Sequence, residues 1–178
     1  MLELKDASLA VGGRQMFRRL SLMAHEGQVT CITGGEGSGK TLLLRVMMGF
    51  VPLDEGLVSI DGELLTPLSA TVFRRQMAYV PQYVASSPST FVPDTSDLET
   101  VWGGGEVPAM ETRPIEMPVV TIQDKAIVLA DDPDVGMLGQ LKALASSGRT
   151  VVVASCREEY LTMSDKIVNL QDDEYTVS

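Results

Sequence analysis

The sequence predicts an α/β fold with a mostly parallel central sheet flanked by helices, preceded by an antiparallel β flap at the N-terminus. Two observations support this prediction. From Gln28 onward, short apolar runs alternate with helix-forming segments, which is typical of parallel strand–helix–strand units. Before that point, Leu2–Val11 alternates between apolar and polar residues like a half-buried strand, and Phe17–Ala24 predicts a second strand after the Gly12-Gly13 turn. A chain of 178 residues is long enough for one such domain, 1–178, and too short for two.

The later elements are predicted from apolar runs and from the glycines that end helices. Gln28–Thr33 is a compact β-rich run, and Ala126–Ala130 is a continuous apolar run of the kind buried on both faces of a parallel sheet. Gly49 and Gly148 each follow a segment of strong helix formers. The other predicted strands are Leu57–Ile60, Met77–Pro81, Thr150–Ser155 and Lys166–Leu170, and the predicted helices are Thr41–Gly49, Val135–Ser147 and the short helix or turn Thr71–Gln76.

Residues Tyr83–Asp124 differ in character from the rest of the chain. They hold most of the prolines, the glycine run Gly103–Gly105, many Ser and Thr residues, and no sustained helical periodicity. One short helix near Asp97–Trp102 is the only regular element that the pattern indicates. An irregular stretch of this length is unusual inside a compact domain, so we expect a functional loop, a mobile segment or a reduced subdomain.

Charge and hydropathy exclude several classes of partner and location. The formal net charge is −10, so we expect no nucleic-acid partner, because binding a phosphate backbone needs a surplus of Lys and Arg. No apolar run approaches the roughly 18–20 residues that cross a bilayer, and the N-terminus lacks the apolar core of a secretory signal. We therefore expect a cytoplasmic protein in which Cys31 and Cys156 are reduced, buried thiols.

A glycine-rich segment, Gly34–Thr41, fits the pattern G-x-x-x-x-G-K-[ST] and lies between an apolar strand and a helix. Its glycines let backbone N–H groups curl around a phosphate without Cβ clashes, and the helix beginning at Lys40 directs its positive end at the anion. The Lys40 ammonium can reach the β- and γ-phosphates, and the Thr41 hydroxyl can bind Mg²⁺. The sequence therefore predicts an ATP or GTP site formed by Gly34, Gly35, Glu36, Gly37, Ser38, Gly39, Lys40, Thr41 and Leu42.

A pair of carboxylates, Asp131 and Asp132, follows the apolar run Ala126–Ala130. In a parallel sheet, the carboxyl end of a strand next to a phosphate loop is where a Mg²⁺ ion needs a carboxylate. We therefore predict Asp131 as a Mg²⁺ ligand together with Thr41.

In this order, these segments resemble the ATP-binding subunits of ABC transporters. The similarity covers roughly residues 2–82 and 125–175 and rests on four segments besides the phosphate loop: Gly56–Gly62, Arg75–Gln82, Ala126–Pro133 and Ser164–Val168. The resemblance implies a P-loop NTPase fold, ATP and Mg²⁺ as ligands, and Gln82 as the residue that senses the γ-phosphate and Mg²⁺. It also implies partners, namely a second ATPase subunit in a homodimer or heteromer and a membrane-embedded transporter, with the chain peripheral on the inner face of the membrane.

The chain departs from the family pattern at four places. Val11 stands where family members carry an aromatic that stacks on adenine, a contact worth about 1–3 kcal/mol. Asp132 replaces the catalytic glutamate and is one methylene shorter, while Cys156 replaces the switch histidine. The LSGGQ-type signature is missing, because the one candidate, Trp102–Glu106, is followed by prolines that no signature helix can run through. The resemblance therefore implies Asp132 and Gln82 as catalytic residues of a domain that hydrolyses ATP weakly or not at all.

Three functions are compatible with these observations. The first is a shortened, degenerate ATP-binding domain with a regulatory or structural role, in which residues 83–124 stand in place of the helical subdomain. The second is an active ATPase or transport motor that uses Asp132 as base and needs a partner subunit to supply the signature. The third is a fold kept for protein contacts after nucleotide binding is lost, and the intact Lys40 and Thr41 argue against it. A P-loop kinase would need an acceptor pocket and a lid arginine cluster, and 83–124 shows neither in its sequence.

Overall fold

The computed structural model describes residues 1–82 and 125–171, which form an antiparallel sheet of four strands and a parallel sheet of five. In chain order the strands are β1 (Leu2–Val11), β2 (Arg14–Ala24), β3 (Val29–Thr33), β4 (Glu55–Ile60), β5 (Glu63–Leu64), β6 (Met77–Val80), β7 (Ile127–Asp131), β8 (Thr150–Ala154) and β9 (Lys166–Asn169). The helices are α1 (Lys40–Met47), α2 (Ala70–Arg74), α3 (Leu138–Ser146) and α4 (Glu158–Met163), with a 3₁₀ turn at Val135–Met137 before α3.

The antiparallel sheet has the strand order β2-β1-β4-β5, so β1 is paired on both sides. Leu2 lies opposite Ala24 on β2 and opposite Ile60 on β4. At Gly56 the backbone of β4 passes close to an irregular part of β1, since a Cβ there would overlap the carbonyl oxygen of Asp6. With a φ of +87° as well, this position requires glycine.

The parallel sheet has the strand order β6-β7-β8-β3-β9. Every residue of β7 and β8 is buried, as expected for apolar strands that are covered on both faces. Strand β3 lies between β8 and β9 and runs parallel to both. The carboxyl ends of β3, β6, β7 and β8 therefore meet at one edge of the sheet, which is where ligands bind in open α/β sheets.

The core consists of two clusters, one on each face of the parallel sheet. Leu44 and Met47 of α1 join the antiparallel sheet in the first cluster, which covers one face. Leu141 of α3 and Tyr160 of α4 join the second cluster on the other face, against strand residues such as Val153. Within the described residues, helices and the antiparallel sheet thus cover both faces of the parallel sheet, and we expect a ligand at an edge of the sheet.

The structure confirms the predicted α/β class, the mostly parallel sheet and the antiparallel N-terminal flap. Two predictions about local structure were wrong. Val135–Ser147 is not one helix, because the Asp134 carboxylate caps a 3₁₀ turn before the α-helix begins at Leu138. Cys156 is exposed rather than buried, because β8 ends at Ala154 and the chain leaves the sheet before the cysteine.

Helix α4 was missed by the sequence analysis. The helix has six residues and buries only Tyr160 completely, so it gives no apolar periodicity to detect. Its two glutamates lie in the first turn, where the positive end of the helix favours negative charge. The predicted helix near Asp97–Trp102 and the signature candidate Trp102–Glu106 lie outside the described residues.

Candidate functional site

The phosphate loop, Gly34–Thr41, leaves the carboxyl end of β3 and leads directly into α1. Three of its glycines have positive φ, at +150° for Gly34, +70° for Gly37 and +95° for Gly39. No side chain caps the N-terminus of α1, and its first turn holds no acidic residue. The first N–H groups of the helix are therefore left for an external acceptor, which favours an anion.

The Lys40 side chain lies along the loop that it belongs to. Its ammonium donates hydrogen bonds to the carbonyl oxygens of Gly34 at 2.7 Å and Gly35 at 2.9 Å. These contacts hold the cation at the mouth of the loop. A phosphate oxygen placed there can replace either carbonyl as acceptor, so Lys40 is positioned for the role predicted from the sequence.

The interior of the loop has no room for a side chain at Gly34, whereas at Gly35 the mobile end of the Gln171 side chain would have to move aside. A Cβ at Gly34 would lie 2.7 Å from Ser38 Oγ, and one at Gly35 would lie 2.5 Å from the amide nitrogen of Gln171. Ser38 Oγ is itself buried without a hydrogen-bond partner among the described residues. The loop therefore forms a narrow cradle with an unpaired hydroxyl inside it, which suits a ligand rich in oxygen atoms.

A cavity of about 320 Å³ adjoins the loop. It is lined by the start of β2, residues 14–16, by loop residues 36–38, and by Leu170 and Gln171 after β9. Val11, the residue at the position of the expected stacking aromatic, is 50% exposed. The cavity can take the part of a ligand that extends beyond its phosphates.

Asp131 is the last residue of β7 and is 4% exposed. One carboxylate oxygen accepts a hydrogen bond from the hydroxyl of Tyr79 on the neighbouring strand β6, at 3.1 Å. Burial, together with the adjacent Asp131 charge and this hydrogen bond, raises the pKa of Tyr79 to about 12. Tyr79 therefore stays protonated and orients the carboxylate, and the sequence analysis did not assign it this part.

Mg²⁺ fits the oxygen atoms available at this edge. The second oxygen of Asp131 and the hydroxyl of Thr41 have no hydrogen-bond partner within residues 1–82 and 125–171. Carboxylate, hydroxyl and amide oxygens are the donors that this hard cation prefers. In the part of the chain that the structure describes, no three His, Cys, Asp or Glu side chains come together as an alternative metal site.

Asp132 faces donors from two neighbouring segments, the one after β8 and the one after β6. Its Oδ1 accepts a hydrogen bond from Ser155 Oγ at 2.8 Å and lies 3.4 Å from Nε of Arg157. Its Oδ2 lies 3.5 Å from the amide nitrogen of Gln82, a long hydrogen bond. Asp132 has a φ of +40°, and its N–H donates to the carbonyl of Ala154 at 2.7 Å, which fixes the backbone below the carboxylate. The structure thus brings together Gln82 and Asp132, which the sequence analysis had named separately as candidate catalytic residues, and adds Ser155 and Arg157 as partners of Asp132.

Tyr160 supports the backbone that follows Asp132. Its ring is fully buried in the second core cluster, and its hydroxyl donates to the carbonyl oxygen of Asp134 at 2.6 Å. Burial raises the pKa of Tyr160 to about 12 despite the opposing effect of Arg157. The contact links α4 to the loop after β7 and so helps to set the position of Asp132.

Sequence reasoning missed Tyr79, Ser155, Arg157 and Tyr160. A signal for two of them was available, because Ser155 and Arg157 are polar residues just beyond a buried strand, as Asp132 is. Tyr79 and Tyr160 gave no such signal, since a tyrosine within an apolar segment has the pattern of a core residue.

Comparisons with known proteins identify the family of the chain. The family model described as "ABC transporter" matches residues 17–132, more than half of the chain. An iron(III) import ATP-binding protein of Pectobacterium atrosepticum is 35% identical over 96 residues, which cover 53% of this chain and 28% of the relative. The chain spans less than half the length of this and two other curated relatives that it matches.

Solved structures give the same fold. The structure of an ATP-binding subunit of an ABC transporter has a TM-score of 0.69 at 17% identity and covers 95% of this chain and 85% of that one. A dimeric ATP-binding cassette in a post-hydrolysis state, bound to ADP and Pi, has a TM-score of 0.68 at 21% identity. The match covers 100% of this chain and 98% of the cassette. None of the helices within the described residues has the length and apolar character needed to cross a membrane.

Proposed function

The chain belongs to the ABC transporter family, and from that premise we propose that it is an ATP-binding domain that holds Mg-ATP on its phosphate loop and hydrolyses it slowly or not at all. The observation that supports binding is the loop itself, where three glycines with positive φ precede an uncapped helix N-terminus. Gly34–Leu42 would hold the phosphates, with Glu36 at the exposed side of the loop. The cavity beside the loop would take the nucleoside.

Mg²⁺ would be held by Thr41, Gln82 and Asp131. A divalent cation bound there would neutralise charge on the β- and γ-phosphates. Asp131 is suited to this role because its buried carboxylate has one oxygen fixed by Tyr79 and the other without a partner in the described residues. Gln82 would have to leave its long contact with Asp132 to reach the ion.

Slow hydrolysis is proposed because of the state of Asp132. A general base must lie within hydrogen-bond reach of the proton that it removes, and here Oδ1 of Asp132 already accepts a hydrogen bond from Oγ of the buried Ser155. The side chain is also one methylene shorter than glutamate, and a misplacement of about 1 Å can cost about 10² in rate. Cys156, at the position of the switch histidine, offers only a weak donor to a γ-phosphate.

In this proposal nucleotide is a ligand that stabilises one conformation or one assembly. The partner would be a second copy or another ATPase subunit, together with a membrane-embedded transporter, and the chain would lie on the inner, cytoplasmic face of the membrane. Dimers among the solved structures of the same fold support the first of these partners. The acidic net charge of −10 supports the absence of a nucleic-acid partner.

The test is a calorimetric titration with ATP and Mg²⁺, followed by measurement of phosphate release from the same sample. We expect micromolar binding without release. In Lys40→Ala the affinity should fall about ten- to a hundredfold, because a hydrogen bond to a charged group is worth about 1.5–3 kcal/mol and wild-type Lys40 gives up two carbonyl contacts to form it. Lys142→Ala, on the exposed side of α3, is the matched control.

Each outcome of this titration has a definite meaning. Unchanged affinity in Lys40→Ala would show that the loop does not hold the phosphates. Phosphate release by the isolated chain would show that Asp132 can act as the base. Release only after addition of a signature-bearing subunit would favour the second function, a transport motor completed by its partner.

A further inference from the structure

Arg157 is held in place by a single nitrogen. Its Nε lies 3.4 Å from Oδ1 of Asp132, and its side chain is 39% exposed. No hydrogen bond or ion pair joins its two terminal nitrogens to the residues that the structure describes. Both terminal nitrogens are therefore available to another acceptor. A guanidinium group can bind a phosphate or carboxylate through two parallel hydrogen bonds.

The topology places Arg157 at the same edge of the parallel sheet as the phosphate loop. Arg157 follows β8, and β8 lies between β7, which ends at Asp131, and β3, which leads into the phosphate loop. Its backbone N–H is tied to Ser155 Oγ at 3.3 Å, and Ser155 is fully buried. The arginine thus has a fixed base, an accessible tip, and a position between the two strands that carry the proposed site.

We propose that Arg157 is a specificity-determining residue of the proposed ATP site, where it contacts the γ-phosphate and so distinguishes ATP from ADP. The proposal rests on the proposed nucleotide binding. A half-exposed ion pair with one contacting nitrogen is weak, so Arg157 can exchange Asp132 for a phosphate at little cost. In the absence of ATP, the ion pair with Asp132 keeps the arginine near the site.

This arrangement makes two predictions with opposite signs. Removing the arginine removes a charge-assisted contact to the third phosphate and leaves the first two phosphates untouched. Removing the charge of Asp132 frees the arginine and also removes a repulsion, so it strengthens ATP binding. A purely structural role for the Arg157–Asp132 pair would instead weaken ATP and ADP binding equally in both variants.

The experiment compares the dissociation constants of Mg-ATP and Mg-ADP, measured by calorimetry at one salt concentration. We expect ATP to bind more tightly than ADP in the wild type. In Arg157→Gln the ATP affinity should fall about tenfold or more, with the ADP affinity changed by less than about twofold. In Asp132→Asn the ATP affinity should rise a few-fold. Arg75→Gln, which removes the same charge before β6 at the opposite edge of the sheet, should leave both affinities unchanged.

The double variant Arg157→Gln/Asp132→Asn separates direct contact from charge compensation. If Arg157 acts only by neutralising Asp132, the double variant regains wild-type ATP affinity, and the inference is overturned. If Arg157 binds the phosphate, the double variant still binds ATP more weakly than Asp132→Asn does. Equal weakening of ATP and ADP in Arg157→Gln, or equal affinities for the two in the wild type, would also overturn the inference. A wild-type protein that binds neither nucleotide would overturn the proposed function itself. In each variant, retained ADP binding shows that the protein is folded.

Discussion

Gly34 is the position at which one added methyl group should damage nucleotide binding most directly. It has a φ of +150°, a conformation that residues with a side chain rarely adopt, and it opens the phosphate loop. In Gly34→Ala the new Cβ would lie 2.7 Å from Ser38 Oγ and 3.1 Å from Ser38 Cβ. Rotating the serine hydroxyl relieves only the first contact, so the backbone between residues 34 and 38 has to move by several tenths of an ångström.

Two effects determine how much stability and ATP affinity Gly34→Ala should lose. An alanine at this φ is strained by about 1–3 kcal/mol. The shift needed to separate the methyl group from Ser38 displaces the N–H groups that would face the phosphates. We therefore expect the free energy of unfolding to fall by about 1–3 kcal/mol and the ATP affinity to fall at least tenfold, since about 1.4 kcal/mol corresponds to a factor of ten.

Urea unfolding followed by circular dichroism measures the first quantity, and calorimetric titration with Mg-ATP measures the second. Gly148→Ala is the matched control, because Gly148 has a φ of +89° with no atom within 4 Å of its Cβ position and lies after α3. The control should lose about 1–2 kcal/mol of stability and keep its ATP affinity. The reasoning is refuted if Gly34→Ala binds ATP as tightly as Gly148→Ala does.

Two further predictions concern residues at the same edge of the sheet. In Asp131→Asn, ATP binding should lose its dependence on Mg²⁺, because the buried carboxylate is the strongest proposed ligand of the ion. Titrations with ATP in the presence and absence of Mg²⁺ test this expectation, and an unchanged dependence would contradict it. In Tyr160→Phe, the hydrogen bond to Asp134 is lost with the ring kept, so the free energy of unfolding should fall by about 1 kcal/mol in urea. An unchanged urea midpoint in Tyr160→Phe would show that water replaces the hydroxyl fully.

The phosphate loop could be predicted in detail because its chemistry depends on consecutive residues. Gly34, Gly37 and Gly39 are needed for backbone conformations that only glycine adopts readily, and all three have positive φ in the structure. The same holds for β7 and β8, whose apolar runs predict strands buried on both faces. Where backbone conformation and packing are local along the chain, the sequence pattern is sufficient.

The partners of Asp132 could not be predicted, because they come from parts of the chain far apart in sequence. Ser155 lies 23 positions from Asp132 and Gln82 lies 50 positions away, and only the strand order brings them together. The exposure of Cys156 depends likewise on where β8 ends, which no composition rule fixes to one residue. Contacts of this kind can be predicted only when the order of the strands in the sheet is known. The sequence predicted a mostly parallel sheet but not the order of its strands.

The state of Asp132 connects the two proposals made for this site. A carboxylate that accepts donors from Ser155, Arg157 and Gln82 ties together the segments after β6, β7 and β8. A longer glutamate side chain would project further from this backbone and could turn toward a water molecule, whereas the aspartate remains within reach of its neighbours. In these two proposals, an aspartate at this position would fail as the base and would also hold Arg157 near the third phosphate. On this view, weak hydrolysis and selective ATP binding have one structural cause, so variants of Arg157 should alter nucleotide preference without creating turnover.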